Sequence, residues 1–197
     1  MPAKQKADAM HSIDVNALTK SANSVSSKFQ IIAPQTVQGP VLQGSFEMRC
    51  LRPGLVLHVS DAIDQYDLVT HSEQQPGLTL QIFLKGTVDA TVDGQPLMDR
   101  EMGADSNRPR ALIISRNKTS LLERRGHRGD HIRKVSLRVT SEWLSQSDWR
   151  HDEKGNAIDR FTRKHLAQHV WPPSPRLISL AELILEAAIS SAPMANL

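Results

Sequence analysis

The stretch LTLQIFLKGTVDATVDGQPL, from Leu78 to Leu97, decides the fold. Its first run places apolar residues at every second position and stops at Lys85-Gly86, and a second alternating run stops at Asp93-Gly94. Period-two alternation bounded by glycine and by an Asp-Gly pair is typical of short β-strands joined by tight turns. The centre of the chain is therefore predicted to consist of strand, glycine corner, strand and hairpin turn.

The same pattern extends outward from this centre, over residues 42–140. Alternating or short apolar runs, each bounded by Gly, Pro, Asn or Asp, recur in SFEMRC, LVLHVSDA, ALIIS and HIRKVSLRVT. At least seven short strands result, with no long helical pattern between them. Because a parallel sheet needs crossover helices, the pattern predicts an antiparallel sandwich or barrel.

The two flanks of this β region differ from it in composition. Residues 1–39 are rich in Ser, Ala and Lys with weak periodicity, which predicts a loosely ordered leader before a β domain at 40–140. After Thr140 the period becomes helical. A hydroxyl cap and an early acid start a helix at Ser141, and Ser174 caps another that has Pro175 in its first turn. Residues 141–197 are therefore predicted to be a helical segment.

The last of these helices has an unusually broad apolar surface. One stripe is formed by positions at helical spacing: Leu177, Leu180, Ala181, Ile184 and Ala188. A helix of this kind must bury its apolar face. It either covers the open end of the β domain or pairs with its own copy in a homodimer.

Composition limits the classes of function. The 197 residues include 24 Lys and Arg against 21 Asp and Glu, which gives a formal net charge of +3. This charge is smaller than that expected of a basic domain that binds nucleic-acid phosphates. The single cysteine excludes an intrachain disulfide. The N-terminus has no apolar signal region, and no stretch approaches the roughly 18 apolar residues of a membrane span. We expect a soluble cytoplasmic protein with no membrane contact.

Metal and covalent chemistry find little support in the sequence. A metal on a strand calls for two histidines two residues apart, and no His-x-His occurs. His127 and His131 lie in a glycine-containing loop, and His165 and His169 would share a helix face, but no further ligand completes either pair. Nucleophile-elbow, phosphate-loop and dinucleotide motifs are missing. We predict no metal, no cofactor and no catalytic residues.

The densest basic cluster is ERRGHRGDHIRK, from Glu123 to Lys134. It could contact an anion or a nucleic acid, or it could be a solvated hairpin connection with charges that protect strand edges. We favour the second interpretation, because no aromatic residues interleave to stack on bases.

The order of parts resembles the N-terminal sensor domain of AraC-type transcriptional regulators. The similarity runs from about Gly44 to Leu197, and it is carried by GLTLQIFLKGTVDATVDG, the RGHRGDHIRKVSLRV strand pair and the SEWL helix start. Within that family the chain looks most similar to siderophore-responsive regulators of the pyochelin type.

This resemblance implies a cupin-like β-barrel or jelly roll followed by linker and dimerisation helices. It implies that the barrel binds a small-molecule effector and that the helices form a homodimer and relay the signal to a DNA-binding helix-turn-helix region. That region is missing from this chain, so we expect DNA contact only through a further C-terminal domain.

No effector contact follows from the resemblance, so the candidates rest on alternation alone. We predict that Met48, His58 and Ile82 face the lumen and that Trp143 lies at its mouth. A lumen filled by side chains is the alternative. Two other functions stay open: a cupin-type isomerase or dioxygenase, and a ligand-free oligomerisation module.

Overall fold

A computed structural model describes residues 11–25, 28–34, 36–98, 108–146 and 153–191. Within these ranges the chain is mainly β, as predicted. The strands are β1 (Ser12–Ile13), β2 (Gln30–Ala33), β3 (Leu42–Arg52), β4 (Leu55–Asp64), β5 (Val69–Gln74), β6 (Gly77–Lys85), β7 (Asp89–Val92), β8 (Gln95–Pro96), β9 (Arg110–Arg116), β10 (Ser120–Arg125), β11 (His131–Thr140) and β12 (Gln168–Trp171). The helices are α1 (Val15–Asn23), α2 (Ser141–Gln146), α3 (Glu153–Arg163) and α4 (Pro175–Ser191).

The strands form two antiparallel sheets. The larger sheet has the order β1-β3-β4-β11-β6-β9-β12, and the smaller has the order β2-β5-β10-β7-β8. Each sheet ends in edge strands, so the described strands form a two-sheet sandwich and not a closed β-barrel, which was one of the architectures expected. The antiparallel architecture predicted from alternation is confirmed, whereas closure depends on long-range strand pairing that alternation does not encode.

The quoted central stretch connects the two sheets. After β6 the chain turns at Gly86, which has φ +74°, and enters β7 of the other sheet. A Cβ atom on Gly86 would lie 2.3 Å from the carbonyl oxygen of His131, so only glycine fits this corner. The predicted Asp-Gly turn then joins β7 to β8, with φ +48° at Asp93 and +79° at Gly94. Positive φ at both central residues matches a type I′ hairpin turn.

The leader contributes to the sandwich within its described part. β1 pairs with β3 and β2 pairs with β5. Between them, α1 begins after Asp14, whose carboxylate accepts a hydrogen bond of 2.7 Å from the backbone N–H of Ala17. Leu18 and Ala22 on α1 are buried. Residues 11–34 thus supply strands to both sheets and part of the apolar core.

Helix α4 covers the outer face of the larger sheet. Its start matches the prediction: the Ser174 side chain accepts a hydrogen bond of 3.3 Å from the backbone N–H of Leu177. Ala181 and Leu185 are fully buried against Val59, Ile82 and other residues of the central strands. One face of β4, β6 and β11 is therefore dry and apolar, and the other face of these strands points between the sheets.

Candidate functional site

The two sheets enclose a cavity of about 150 Å³. A volume on this order holds a molecule the size of benzene. Its walls come from β3, β4, β6, β9 and β11 of the larger sheet, from β5, β7 and β10 of the smaller one, and from α1. Leu18 and Ala22 of α1 form part of the wall, so the leader region participates in the site.

Strand register makes the cavity face of the larger sheet polar. Directly opposite residues on neighbouring antiparallel strands point to the same side. Across the centre this rule sets Met48, His58, Ser136 and Gln81 in one row. The next residues in phase on β11 are Lys134 and Arg138. The interior of this sandwich thus contains a polar lattice where a simple β-sandwich has aliphatic side chains.

His58 lies at the middle of this lattice. Burial, together with the positive charges of Lys134, Arg124 and Arg138, holds the pKa of His58 well below its usual value, so the imidazole is neutral. Its ring centroid lies 4.6 Å from that of Phe46. The Nε2 atom is buried without a hydrogen-bond partner in the described structure. A buried polar atom in this state costs roughly 1–3 kcal/mol, which a ligand group could recover.

Two guanidinium groups stand at one side of the cavity. Arg116 is only 3% exposed and donates to the Thr79 hydroxyl at 2.6 Å and to the Gln75 carbonyl at 3.3 Å. Arg138 donates to the Gln74 side-chain oxygen at 2.9 Å and to the carbonyl oxygen of Val25.

Among the described residues, the acceptors of these two arginines are neutral, so the two charges are hydrogen-bonded but not neutralised there. Burial and the charge of Arg138 lower the pKa of Arg116 to about 10. Both guanidinium groups therefore remain charged at neutral pH.

Lys134 and Arg124 also line the cavity. Arg124 forms an ion pair with Asp64. Burial nevertheless raises the pKa of the Asp64 carboxyl. The Lys134 ammonium lies 5.8 Å from the Phe83 ring centroid. Burial, followed by repulsion from Arg124, lowers the pKa of Lys134 to about 7. This amine therefore loses its proton far more easily than an ordinary lysine.

The residues predicted for the lumen separate into two groups. Met48 and His58 line the cavity. Ile82 lies on the other face of β6, packed under α4, because the apolar phase of β6 faces the helix. Trp143 does not line the cavity; it lies in α2, where its Cβ would be 2.9 Å from a Cβ placed on Gly54.

The predicted dimerisation stripe is also divided. Ala181 and Ala188 are buried against the sheet, and Leu177 and Ile184 pack against the same cluster. Leu180 is 52% exposed. Most of the stripe is therefore used within the chain, which fits the covering role that the sequence left open. The exposed large apolar side chains in the described part of α4 are Leu180, Leu183 and Ile189.

The histidines singled out as possible metal ligands have separate partners. His127 lies 3.1 Å from Asp89, and His131 lies 2.7 Å from Asp61. His165 lies 3.2 Å from Asp93, and His169 stacks on Trp171 in β12. The expected helix around His165 and His169 is therefore wrong. Within the described ranges, no three His, Cys, Asp or Glu side chains are grouped as metal ligands would be.

Sequence reasoning missed the cavity cations. Arg124 and Lys134 belong to the basic cluster that was interpreted as a solvated hairpin, and only part of that run is exposed. The available signal was the alternation of Lys134, Ser136 and Arg138 with Val135, Leu137 and Val139. A strand whose apolar phase is covered by a helix must turn its polar phase towards the opposite sheet.

No helix in the described part of the chain is long and apolar enough to cross a membrane. The β-sandwich has a polar internal cavity and a covering helix α4, an architecture in which a small molecule can bind.

A family of regulatory domains matches this chain. Residues 43–197 match the family described as the regulatory protein PchR N-terminal domain, and the chain belongs to that family. It is a regulatory domain of a transcription regulator, as the resemblance in the sequence indicated. No curated protein and no solved structure matched the chain.

Proposed function

We propose that this chain is the effector-sensing domain of an AraC-type transcriptional regulator and that it binds a small molecule between its two sheets. The observation that carries this proposal is the buried, partnerless Nε2 atom of His58 inside a lined cavity. Such an atom is costly in a structure that never receives a partner. Membership in a regulatory-domain family supports the same role, which is not enzymatic. A regulator of transcription acts where the DNA is, so this role also implies the cytoplasmic location expected from the sequence.

Strand β11 offers a route from the cavity to the surface. Its residues Lys134, Ser136 and Arg138 line the cavity, while Val135 packs in the cluster under α4. Ligand contacts that favour one position of β11 would change how α4 packs on the larger sheet. They would shift the population between two arrangements of β11 and α4. In this proposal α4 passes the signal to a DNA-binding domain on a further part of the regulator.

The exposed face of α4 provides a surface for a homodimer. Leu180 and Leu183 are 52% and 63% exposed, and Ala187 lies one turn further on the same face. A two-fold dimer would bring this ridge against its own copy. The dimer surface that we propose is thus narrower than the stripe expected from the sequence, because the sheet covers the rest.

The role can be tested by filling the cavity in the intact regulator. Ser136→Trp places a large ring in the middle of the polar lattice, and Thr119→Trp adds the same ring in the exposed β9–β10 turn. We expect Ser136→Trp and deletion of the gene to alter transcripts of an overlapping set of genes, and Thr119→Trp to match the wild type. Circular dichroism would check that both variants fold. Unchanged transcripts in both the deletion and the Ser136→Trp strain would contradict the proposal.

A further inference from the structure

The charges that line the cavity are unbalanced. Four basic side chains face it, and Asp64 is the one acid among its described lining residues: Arg116, Arg124, Lys134 and Arg138 are the basic ones. Since Asp64 pairs with Arg124, three positive groups have no acidic partner in the lining. Burying a charge without a counter-charge is unfavourable even when its donors are hydrogen-bonded.

Proton loss relieves this imbalance only in part. Lys134 can become neutral near pH 7, since its pKa is lowered to about 7. The two unpaired guanidinium groups cannot, because the pKa of Arg116 is lowered only to about 10 and an arginine side chain stays protonated at neutral pH. A net positive charge therefore persists between the sheets.

The cations sit between apolar surfaces. On one side lies the cluster that includes Leu18, Leu42 and Leu68, with Phe46 packed against it. On the other side lies the cluster that includes Val92 and Ile114. Residues of both clusters line the cavity. A ligand that satisfies all of these surfaces has a compact anionic group attached to an apolar body.

We propose that the cavity selects a small organic carboxylate, with the anionic group held by Lys134 and Arg138 beside His58 and with the apolar body against Phe46 and Met48. This proposal rests on the proposed function, in which the effector binds between the sheets. Register supports the arrangement: Lys134 and Arg138 lie two residues on either side of Ser136, which is paired directly with His58. Met48 is paired with His58 on the other side.

A suitable probe is benzoate, whose ring matches the size of the cavity. Benzamide keeps the ring and removes the charge, benzylammonium reverses the charge, and inorganic phosphate keeps the charge without the ring. Calorimetric titration and thermal shift on the full chain at neutral pH would compare the four compounds. We expect benzoate to bind at least about tenfold more tightly than the other three, since a charged hydrogen bond contributes roughly 1.5–3 kcal/mol.

Variants connect this preference to the cavity. Lys134→Met and Arg138→Gln should each weaken benzoate binding about tenfold while leaving benzamide unaffected, because each removes one cation. Arg128→Gln removes one charge from an exposed loop residue and should leave benzoate binding unchanged. This control excludes an effect of net charge alone.

Three results would overturn the inference: equal binding of benzoate and benzamide, phosphate binding as tight as that of benzoate, or no benzoate binding at millimolar concentration. Each is separable from failure of the proposed function, which is read from transcripts of the Ser136→Trp strain. A transcript response without a preference for benzoate would leave a sensor of another ligand class.

Discussion

The guanidinium of Arg133 on β11 holds the carboxylate of Glu182 on α4 through two contacts, of 2.8 and 2.6 Å. The same guanidinium donates to Asp61 on β4 at 3.0 Å. Burial alone would lower the pKa of Arg133, but its hydrogen bonds to Glu182 and Asp61 raise it. A polar clamp thus fixes α4 to the two central strands at the edge of its apolar contact.

Breaking the clamp should loosen α4 only slightly. The two side chains are 28% and 32% exposed, so solvent screens the pair, and we expect Glu182→Gln to lower the free energy of unfolding by about 1 kcal/mol or less. Glu186→Gln, at an exposed position on the same helix, is the matched control and should have no effect. Urea unfolding measures both. A loss of several kcal/mol in Glu182→Gln would show that the clamp, more than the apolar face, holds the helix.

The apolar contact of α4 should dominate its attachment. Leu185 has no exposed surface and packs with Ala181 against the sheet, so Leu185→Ala should cost about 2–5 kcal/mol. Leu183→Ala removes the same atoms from a side chain that is 63% exposed and should change stability by less than about 0.5 kcal/mol. Chemical denaturation of both variants compares them directly. Equal losses would argue against the observed orientation of the helix.

The corner at Gly86 should not accept a side chain. A methyl group there would meet the His131 carbonyl at 2.3 Å, whereas at Gly129, which also has positive φ, nothing lies within 4 Å. Gly129→Ala should cost about 1 kcal/mol from backbone strain alone, and Gly86→Ala clearly more, because the strand connection must shift. Thermal unfolding distinguishes them, and similar melting temperatures would be evidence against the tight corner.

Lys134 should make stability depend on pH. Its pKa is about 7 in the fold and about 10.5 in the unfolded chain, so the unfolded chain binds more protons between these values. Stability from this group is therefore fully present above about pH 10.5 and is lost as pH falls through 7. The wild type should lose stability relative to Lys134→Met over this window, by on the order of a few kcal/mol. Parallel pH profiles of the two proteins would show that the amine is not desolvated.

The ridge on α4 should control association. Leu183→Glu places a charge on the exposed face that we propose for the homodimer, and it should raise the dimer dissociation constant at least about tenfold. Ile158→Glu, at another exposed apolar position on α3, is the control. Analytical ultracentrifugation gives the association state. A dimer that survives Leu183→Glu would place the interface elsewhere.

The sequence predicted local features well. Alternation identified the antiparallel strands around Gly86 and the Asp93-Gly94 turn, and capping chemistry identified the starts of α2 and α4. These features depend on neighbours close in the chain, where residue spacing and φ preferences act directly.

The orientation of each strand face could not be predicted in the same way. On β6 the apolar residue Ile82 was expected to face a lumen, but it packs under α4, a helix some 40 residues later in the chain than β11. For this reason Ile82 was assigned to the wrong side, and Lys134 and Arg138 were not considered. Which face is dry depends on a contact between distant segments, and alternation is symmetric between the two faces.

Strand β11 assigns different tasks to consecutive residues. Even-numbered positions such as Lys134 and Ser136 belong to the cavity, and odd-numbered positions such as Val135 belong to the helix seat. Substitutions can therefore change the lining of the cavity without changing the packing against α4, and the reverse. A single inserted or deleted residue would exchange the two faces of the strand. It would turn the cationic side chains towards the apolar contact with α4 and the valines towards the cavity. We therefore expect β11 to tolerate substitutions better than single-residue insertions or deletions.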